Sequence, residues 1–423
     1  MHDLLITNAR IFEPDFAAQP QAEHPPRRAD GTRPELCDIA ISGTIIAHIQ
    51  PSAGVSSAPT PAPTLAPGLA PAPAPRTIDA AGGVVFPGFV DCHTHACWSD
   101  PHGDHRLDEW AMKLAGRPYL DILAAGGGIM SSVRAVRAAT EAELTEQLLG
   151  RLNTMLRHGT TTVEVKSGYG LSTRDELKML RAIDAARPHF RGTIVMTALL
   201  GHALDPDIDR ARFVRTTIDE TLPAVASEFG TDMSVDAFCE QGAWSLDETC
   251  ELLARARALG FSVRVHADQF TSMGMVPRAV ELGALSVDHL EASTPQDIAA
   301  LAASKTFGVA LPACGLHVDG RFANLARLTK RCIATNFNPG SAPSASMQMA
   351  IALAARKCGF LPLEAIDAAT ANPAELLGLT DRGRVLPGAR SDLVMSSLTD
   401  ARSLALRFGE NHAAIVIAAG RVV

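Results

Sequence analysis

From Val84 onward the chain repeats one unit, a short β-branched or apolar run followed by a helical stretch. The runs are Val84–Val90, Thr161–Val165, Thr193–Ala198, Ser234–Phe238, Ser262–Val265, Leu285–Val287, Phe307–Leu311 and Cys332–Thr335. Strands that alternate with helices pair in parallel, and eight of them close into an α/β architecture, the (β/α)8 TIM barrel. Helix start signals fall between the runs. Thr140 with Glu143 and Ser245 with Glu248 read as capping boxes, and Thr294 precedes Pro295, a favoured first-turn residue. Leu144, Leu148, Leu152, Met155 and Leu156 form one helical stripe that Gly159 ends. That stripe predicts helix-on-barrel packing, not chemistry.

Both chain ends read differently. Leu4–Ile6, Asp38–Ile41 and Ile45–Ile49 alternate like strands, with a turn at Gly43 between the last two. Strand-like runs return at 392–395, 414–417 and 421–423. The simplest arrangement pairs the two ends in a composite β-sandwich, residues 1–83 plus 381–423, beside a barrel spanning 84–380. Two insertions interrupt the first part, near 13–36 and near 51–76. The second is an Ala/Pro tract with eight prolines from Pro51 to Pro75, expected to be an exposed, partly polyproline loop.

Composition narrows the function classes. With 38 Lys+Arg against 46 Asp+Glu the net charge is −8, which argues against nucleic acid and anionic membrane surfaces as partners. A small anionic substrate is still compatible, because one Arg can dominate a pocket. No apolar run approaches the ~20 residues needed to cross a bilayer. The opening MHDLLITNARIF lacks a signal-peptide pattern, and the eight cysteines form no CxxC pair. A cytoplasmic protein with free thiols is expected. Hydrophobic residues make up 47% but aromatics only 5%, so the core should be mostly aliphatic.

Barrel enzymes place their chemistry at the C-terminal ends of the strands. Here those ends read Asp91-Cys92-His93-Thr94-His95, Lys166-Ser167-Gly168-Tyr169, Gly201-His202, Cys239-Glu240, His266-Ala267-Asp268-Gln269, Asp288-His289 and Asn336-Phe337-Asn338-Pro339-Gly340. His93 and His95 stand at i and i+2, so on a strand both imidazoles face one side and can reach one ion. Imidazole suits Zn, Fe and similar metals. A single strand-end histidine would more often be structural, but five on four strand ends form a pattern.

The segment VVFPGFVDCHTH resembles the first barrel strand of the amidohydrolase superfamily. ILAAGGGIMSSVRA (122–135), TTVEVKSGYGL (161–171), VHADQF (265–270), DHLE (288–291) and NPG (338–340) resemble more narrowly the imidazolonepropionase family. The resemblance spans the barrel and the closing sandwich strands, not the two insertions. It implies a TIM barrel with a composite β-sandwich, one divalent metal per chain (Zn or Fe), and a homodimer. It also implies a reaction, hydrolysis of the cyclic amide 4-imidazolone-5-propanoate to N-formimidoyl-L-glutamate.

Position by position, the resemblance implies metal ligands at His93, His95 and His266. It implies substrate contacts at Arg106, Tyr169, His202, Gln269, Asn338, Gly340 and Ser341. Arg106 is placed by the Glu109-Trp110 that follows it. His289 and His202 fall near the reacting centre, and Glu240 and Lys166 are expected to support the mouth. The departure is Asn336. The family has aspartate there, as fourth metal ligand and proton acceptor. An amide oxygen can still ligate but cannot take a proton, and a positioned base is typically worth about 10²–10⁴ in rate. Two other readings stay open: another cyclic amidohydrolase or ring deaminase, and a catalytically inactive ligand-binding homologue.

Overall fold

The computed structural model describes residues 2–14, 28–52, 76–100, 106–117 and 127–423. Most of both predicted insertions, and the 122–126 part of the glycine-rich motif, lie outside the described residues.

The N-terminal strands are β1 (Leu4–Ile11), β2 (Cys37–Ser42), β3 (Ile45–Pro51), β4 (Arg76–Asp79) and β5 (Val84–Pro87). β1 pairs antiparallel with β2 and parallel with β4 through its first half, and the register breaks between Ile6 and Ala9. Past that irregularity its last two residues pair with β5 instead. One strand thus serves two sheets, the usual way to turn a sandwich corner.

The barrel follows: β6 (Phe89–Asp91), β7 (Thr160–Lys166), β8 (Thr193–Gly201), β9 (Ser234–Cys239), β10 (Ser262–Val263), β11 (Val265–Ala267), β12 (Ser286–His289), β13 (Phe307–Ala310) and β14 (Arg331–Ile333). Consecutive strands pair in parallel from β6 to β14, with β10 and β11 both beside β9. Closure comes at the mouth. Thr94 bridges Asn336 in parallel, His95 N–H donates to the Asn336 carbonyl at 2.9 Å, and Asn336 N–H donates to the His93 carbonyl at 3.1 Å. The backbone that closes the barrel is therefore the backbone that carries the candidate ligands.

The C-terminal strands β15 (Leu393–Met395), β16 (Ile415–Ala418) and β17 (Arg421–Val422) return to the first sheet, with β15 antiparallel to β5. Leu4, Ile6, Ile39 and Ile41 from one layer meet Val85, Leu393, Met395 and Ile417 from the other in a separate aliphatic core. The TIM barrel with a composite sandwich from both chain ends is the observed fold.

Two expected strands change on inspection. The run Val84–Val90 is not one strand: Val84–Pro87 belongs to the sandwich and only Phe89–Asp91 to the barrel. Gly88 is the joint. A Cβ there would fall 2.2 Å from Thr161 Oγ1, so only glycine lets the chain pass against β7. The run Ser262–Val265 is split at Arg264, whose buried side chain takes up the site's charge network described below. The helices start where expected. Thr140, Ser245 and Thr294 each form a reciprocal capping box. The stripe from Leu144 to Leu156 is buried, and Gly159 follows that helix at φ +92°.

Candidate active site

Backbone strain collects at the strand ends. Asp268, His289, Leu290, Asn336 and Phe337 all take positive φ, from +27° to +88°, without being glycine. Such conformations are costly and persist where surrounding structure enforces them. Here they end or follow β11, β12 and β14, around the barrel axis.

Three imidazoles meet on that axis. One nitrogen from each of His93, His95 and His266 lies within 4.8 Å of the others, and all three residues are buried. His93 Nδ1 faces Asp288 Oδ2 at 2.6 Å, and His266 Nδ1 faces Asp236 Oδ1 at 3.1 Å. Each carboxylate holds the proton on Nδ1 and leaves the Nε2 lone pair pointing inward. His93 Nε2 is buried without a partner, while His95 Nε2 and His266 Nε2 stand 3.1 Å apart. Burial drives the pKa of His93 and His95 well below the ordinary value, with cationic Lys166 adding to the effect at both. Burial also lowers His266, against the pull of Asp236. Neutral imidazoles with inward lone pairs are the form that binds a metal. This donor set fits a borderline-soft divalent cation.

Asn336 is tied by its backbone to His93 and His95 at the same strand ends. Its Nδ2 donates to Ser341 Oγ at 3.1 Å, which fixes the amide's orientation. Oδ1 is then left buried with no partner. An orphaned acceptor oxygen on a residue whose backbone bonds to His93 and His95 fits a neutral fourth ligand.

A charge network lies beneath the imidazoles. Lys166 Nζ sits 2.8 Å from both Glu164 Oε1 and Asp236 Oδ2. Arg264 donates to Asp288 Oδ2 at 2.8 Å and to Ser286 Oγ at 2.9 Å, and approaches Glu164 at 3.5 Å. Every one of these charged side chains is buried. Lys166 thus lies behind His266, not in the mouth where its strand-end position pointed. Glu240 does support the mouth: its carboxylate accepts from Phe270 N–H at 2.8 Å, from Thr271 N–H and from the Thr271 hydroxyl, tying down the loop after Gln269.

All seven expected substrate contacts, Arg106, Tyr169, His202, Gln269, Asn338, Gly340 and Ser341, line one cavity of about 420 Å³. The Arg106 guanidinium lies flat against Gly340, where a Cβ would come within 2.4 Å of Nη2. A side chain there would displace the guanidinium, so this glycine serves close approach and not dihedral freedom. Arg106 is oriented by Glu109 at 2.6 Å and Ser132 at 3.2 Å, and its Nε is buried without a partner. Asn338 Oδ1 accepts from Gly340 N–H and Ser341 N–H, which shapes the loop under the guanidinium. His202 stacks on His95 at 4.9 Å and places Nδ1 2.9 Å from the Gly168 carbonyl. Burial pushes its pKa down to about 3, so it stays neutral with Nε2 as acceptor. Burial raises the Tyr169 pKa, so its hydroxyl keeps its proton.

His289 stands between the imidazole cluster and Glu291. Its ring centroid is 5.6 Å from that of His266, and Nδ1 lies 3.2 Å from each Glu291 oxygen. Burial alone would lower its pKa, but the Glu291 carboxylate and the Cys314 side chain outweigh that and raise it to about 10. Glu291 and Cys314 carried no role in the sequence reading. Nor did Asp236, Asp288, Arg264 and Glu164, or the cations Lys113 and Arg117 on the cavity wall. The legible signal was charge inside apolar strand runs at alternate positions, as at Glu164 and Lys166.

Residues 84–304 and 197–423 match the family described as the Amidohydrolase family. An imidazolonepropionase of Herpetosiphon aurantiacus is 45% identical over 363 residues, covering 82% of this chain and 84% of that one. One of Rubrobacter xylanophilus is 38% identical over 423 residues, covering 98% of each. Among solved structures, a 5-methylcytosine deaminase from Klebsiella pneumoniae superposes with TM-score 0.68 at 16% identity, over 99% of this chain and 97% of that one. N-isopropylammelide isopropylaminohydrolase from Burkholderia multivorans gives TM-score 0.66 at 19% identity, over 100% and 98%. These two likenesses concern the fold. The sequence matches go further: the chain belongs to the amidohydrolase family and, within it, to the imidazolonepropionases.

Proposed function

We propose that this chain catalyses metal-dependent hydrolysis of 4-imidazolone-5-propanoate to N-formimidoyl-L-glutamate, a step of histidine degradation. The observation that carries this reading is a three-imidazole cluster whose His95 stacks on His202, a residue that lines the same cavity as the Arg106 guanidinium. The relatives named imidazolonepropionase support the same substrate.

His93, His95, His266 and the Asn336 amide oxygen would hold one divalent cation, Zn or Fe. Such a cation lowers the pKa of water and polarises a carbonyl. The chain's own residues do the rest. Arg106 takes the propionate, using the planar donors that Glu109 and Ser132 hold in place. Neutral His202 accepts from a ring N–H through Nε2, and the Tyr169 hydroxyl donates. Gln269, Asn338, Gly340 and Ser341 shape the wall that orients the ring. His289, kept charged by Glu291, donates its proton to the developing oxyanion or the leaving ring nitrogen. Asn336 binds but accepts no proton, so the rate should lie about 10²–10⁴ below that of a site with a carboxylate there. We place the protein in the cytoplasm as a homodimer on the strength of the family resemblance. No helix among the described residues is long and apolar enough to cross a membrane.

The deciding experiment is formation of N-formimidoyl-L-glutamate from 4-imidazolone-5-propanoate by the zinc- or iron-loaded protein, run beside Asn336→Asp. Slow turnover that Asn336→Asp accelerates supports the reading. No turnover by either protein overturns it. The orphaned Asn336 oxygen also favours a second reading, a ligand-binding homologue without catalysis. That reading requires tight binding of the imidazolone with no turnover even in Asn336→Asp.

A further inference from the structure

A second group of metal donors adjoins the first, with the His289 ring centroid 5.6 Å from that of His266 and 6.1 Å from that of His93. One ligand atom from each of His289, Glu291 and Cys314 lies within 4.8 Å of the others. The three come from two neighbouring strand ends. His289 ends β12 and Glu291 follows it, while Cys314 opens the helix Pro312–Val318 that follows β13. The strained turn at His289 and Leu290, φ +88° and +71°, holds the imidazole and the Glu291 carboxylate on one side. The His289 and Glu291 side chains are 3% and 5% exposed, and Cys314 is 1% exposed. Gln269 Nε2 stands 3.3 Å from Cys314 Sγ, so a flip of its amide would turn an oxygen toward the same point. Gln269, Glu291 and Cys314 share the wall of a small cavity, and Glu291 also borders a separate outer cavity beside Ser293 and Asn324.

We propose that His289, Glu291 and Cys314 form a second divalent-cation site, selective for thiophilic ions of the zinc and cadmium type. The charge balance suits it. A thiolate and a carboxylate carry two negative charges and neutralise a divalent ion in a buried setting. The imidazole is a neutral third ligand and the Gln269 oxygen or a water a fourth. Binding releases the thiol proton and the His289 Nδ1 proton to solvent. Mixed S, N and O donors are typical of zinc, whereas magnesium and calcium prefer all-oxygen sites. A consequence for activity rests on the proposed role of His289: an ion there replaces the proton that Glu291 holds on it, so excess zinc should inhibit. The binding itself does not depend on that role.

The test uses the full-length protein loaded with one equivalent of zinc and titrated with cadmium, reading sulfur-to-cadmium charge-transfer absorption. The three-histidine site contains no sulfur, so the band reports only a thiolate site, independently of turnover. One further equivalent should bind with the band. Cys314→Ser, checked for folding by its melting temperature, should lose the band and weaken this second binding by at least about tenfold, the loss typical of even an outer-shell partner. Glu291→Gln should keep the band at weaker affinity, and magnesium should not compete. Absence of a second equivalent overturns the proposal. So does a band that persists undiminished in Cys314→Ser, which would assign the thiolate to another of the eight cysteines. If Cys314→Ser does not fold, His289→Gln makes the same comparison: an unchanged affinity overturns the site, and a loss of at least about tenfold supports it.

Discussion

The ends of β6 and β11 and the end of β14 face the same point but are built differently. His93 and His266 each have a carboxylate behind the imidazole, and each carboxylate is held by a buried cation: Asp288 by Arg264, and Asp236 by Lys166. Asn336 has only the Ser341 hydroxyl, and no charge of its own. The histidine side is thus equipped to hold a cation tightly, while the β14 side supplies a weak neutral donor and no base. Metal holding and proton handling are separate properties of this mouth, and in this chain they are unequally provided.

The largest effect should come from breaking the histidine side at its root. Lys166→Met leaves Glu164 and Asp236 buried without their shared cation, and breaking a buried pair by removing one partner costs about 3–5 kcal/mol. A fall in unfolding free energy of that order, by denaturant titration, is expected. A change within experimental error would mean Arg264 alone neutralises the cluster.

The reverse change on the weak side comes next. Asn336→Asp adds a charge beside the cation and an acceptor for the water proton, so kcat should rise about 10²-fold or more, with tighter metal binding. If metal affinity rises but kcat does not, the proton already leaves by another route, and His289→Asn in the present chain should then abolish residual turnover.

Arg106→Lys keeps the charge but loses the planar fork resting on Gly340. Loss of one charge-assisted bond should weaken substrate binding by about 1.5–3 kcal/mol, read as an increase in Kd or KM with little change in metal content. An unaltered Kd would remove Arg106 from substrate recognition.

The smallest effect should follow Asp236→Asn, which keeps the shape behind His266 and removes the charge. Outer-shell changes of this kind cost about 10–100-fold in metal affinity. Competition with a chelator measures it. An affinity equal to that of the unaltered protein would show that the carboxylates serve the Lys166 and Arg264 network alone, and the contrast between the two sides would lose its basis.

Much was legible in the sequence because it depends on local order. Alternation of strand and helix, capping residues such as Thr140 and Ser245, and two histidines at i and i+2 are short-range patterns, and short-range patterns survive in a one-dimensional string. Fold class and strand-end placement of the chemistry follow from them, while the anomaly at Asn336 comes from the family resemblance. Other features needed the closed barrel. Val84–Pro87 leaves the barrel because Gly88 must slip past Thr161, a contact between residues more than seventy positions apart. Arg264 lies inside the run Ser262–Val265 that reads as one strand, yet it splits that strand and is the cation under Asp288. Lys166 reads as a mouth residue, yet it is sealed between two carboxylates. Cys314 carries no motif and gains neighbours only when β12 and β13 lie side by side. The physical reason is shared. A buried charge or donor is defined by what compensates it, and here a decisive partner arrives from another strand, as Asp236 does for Lys166 and Asp288 for Arg264.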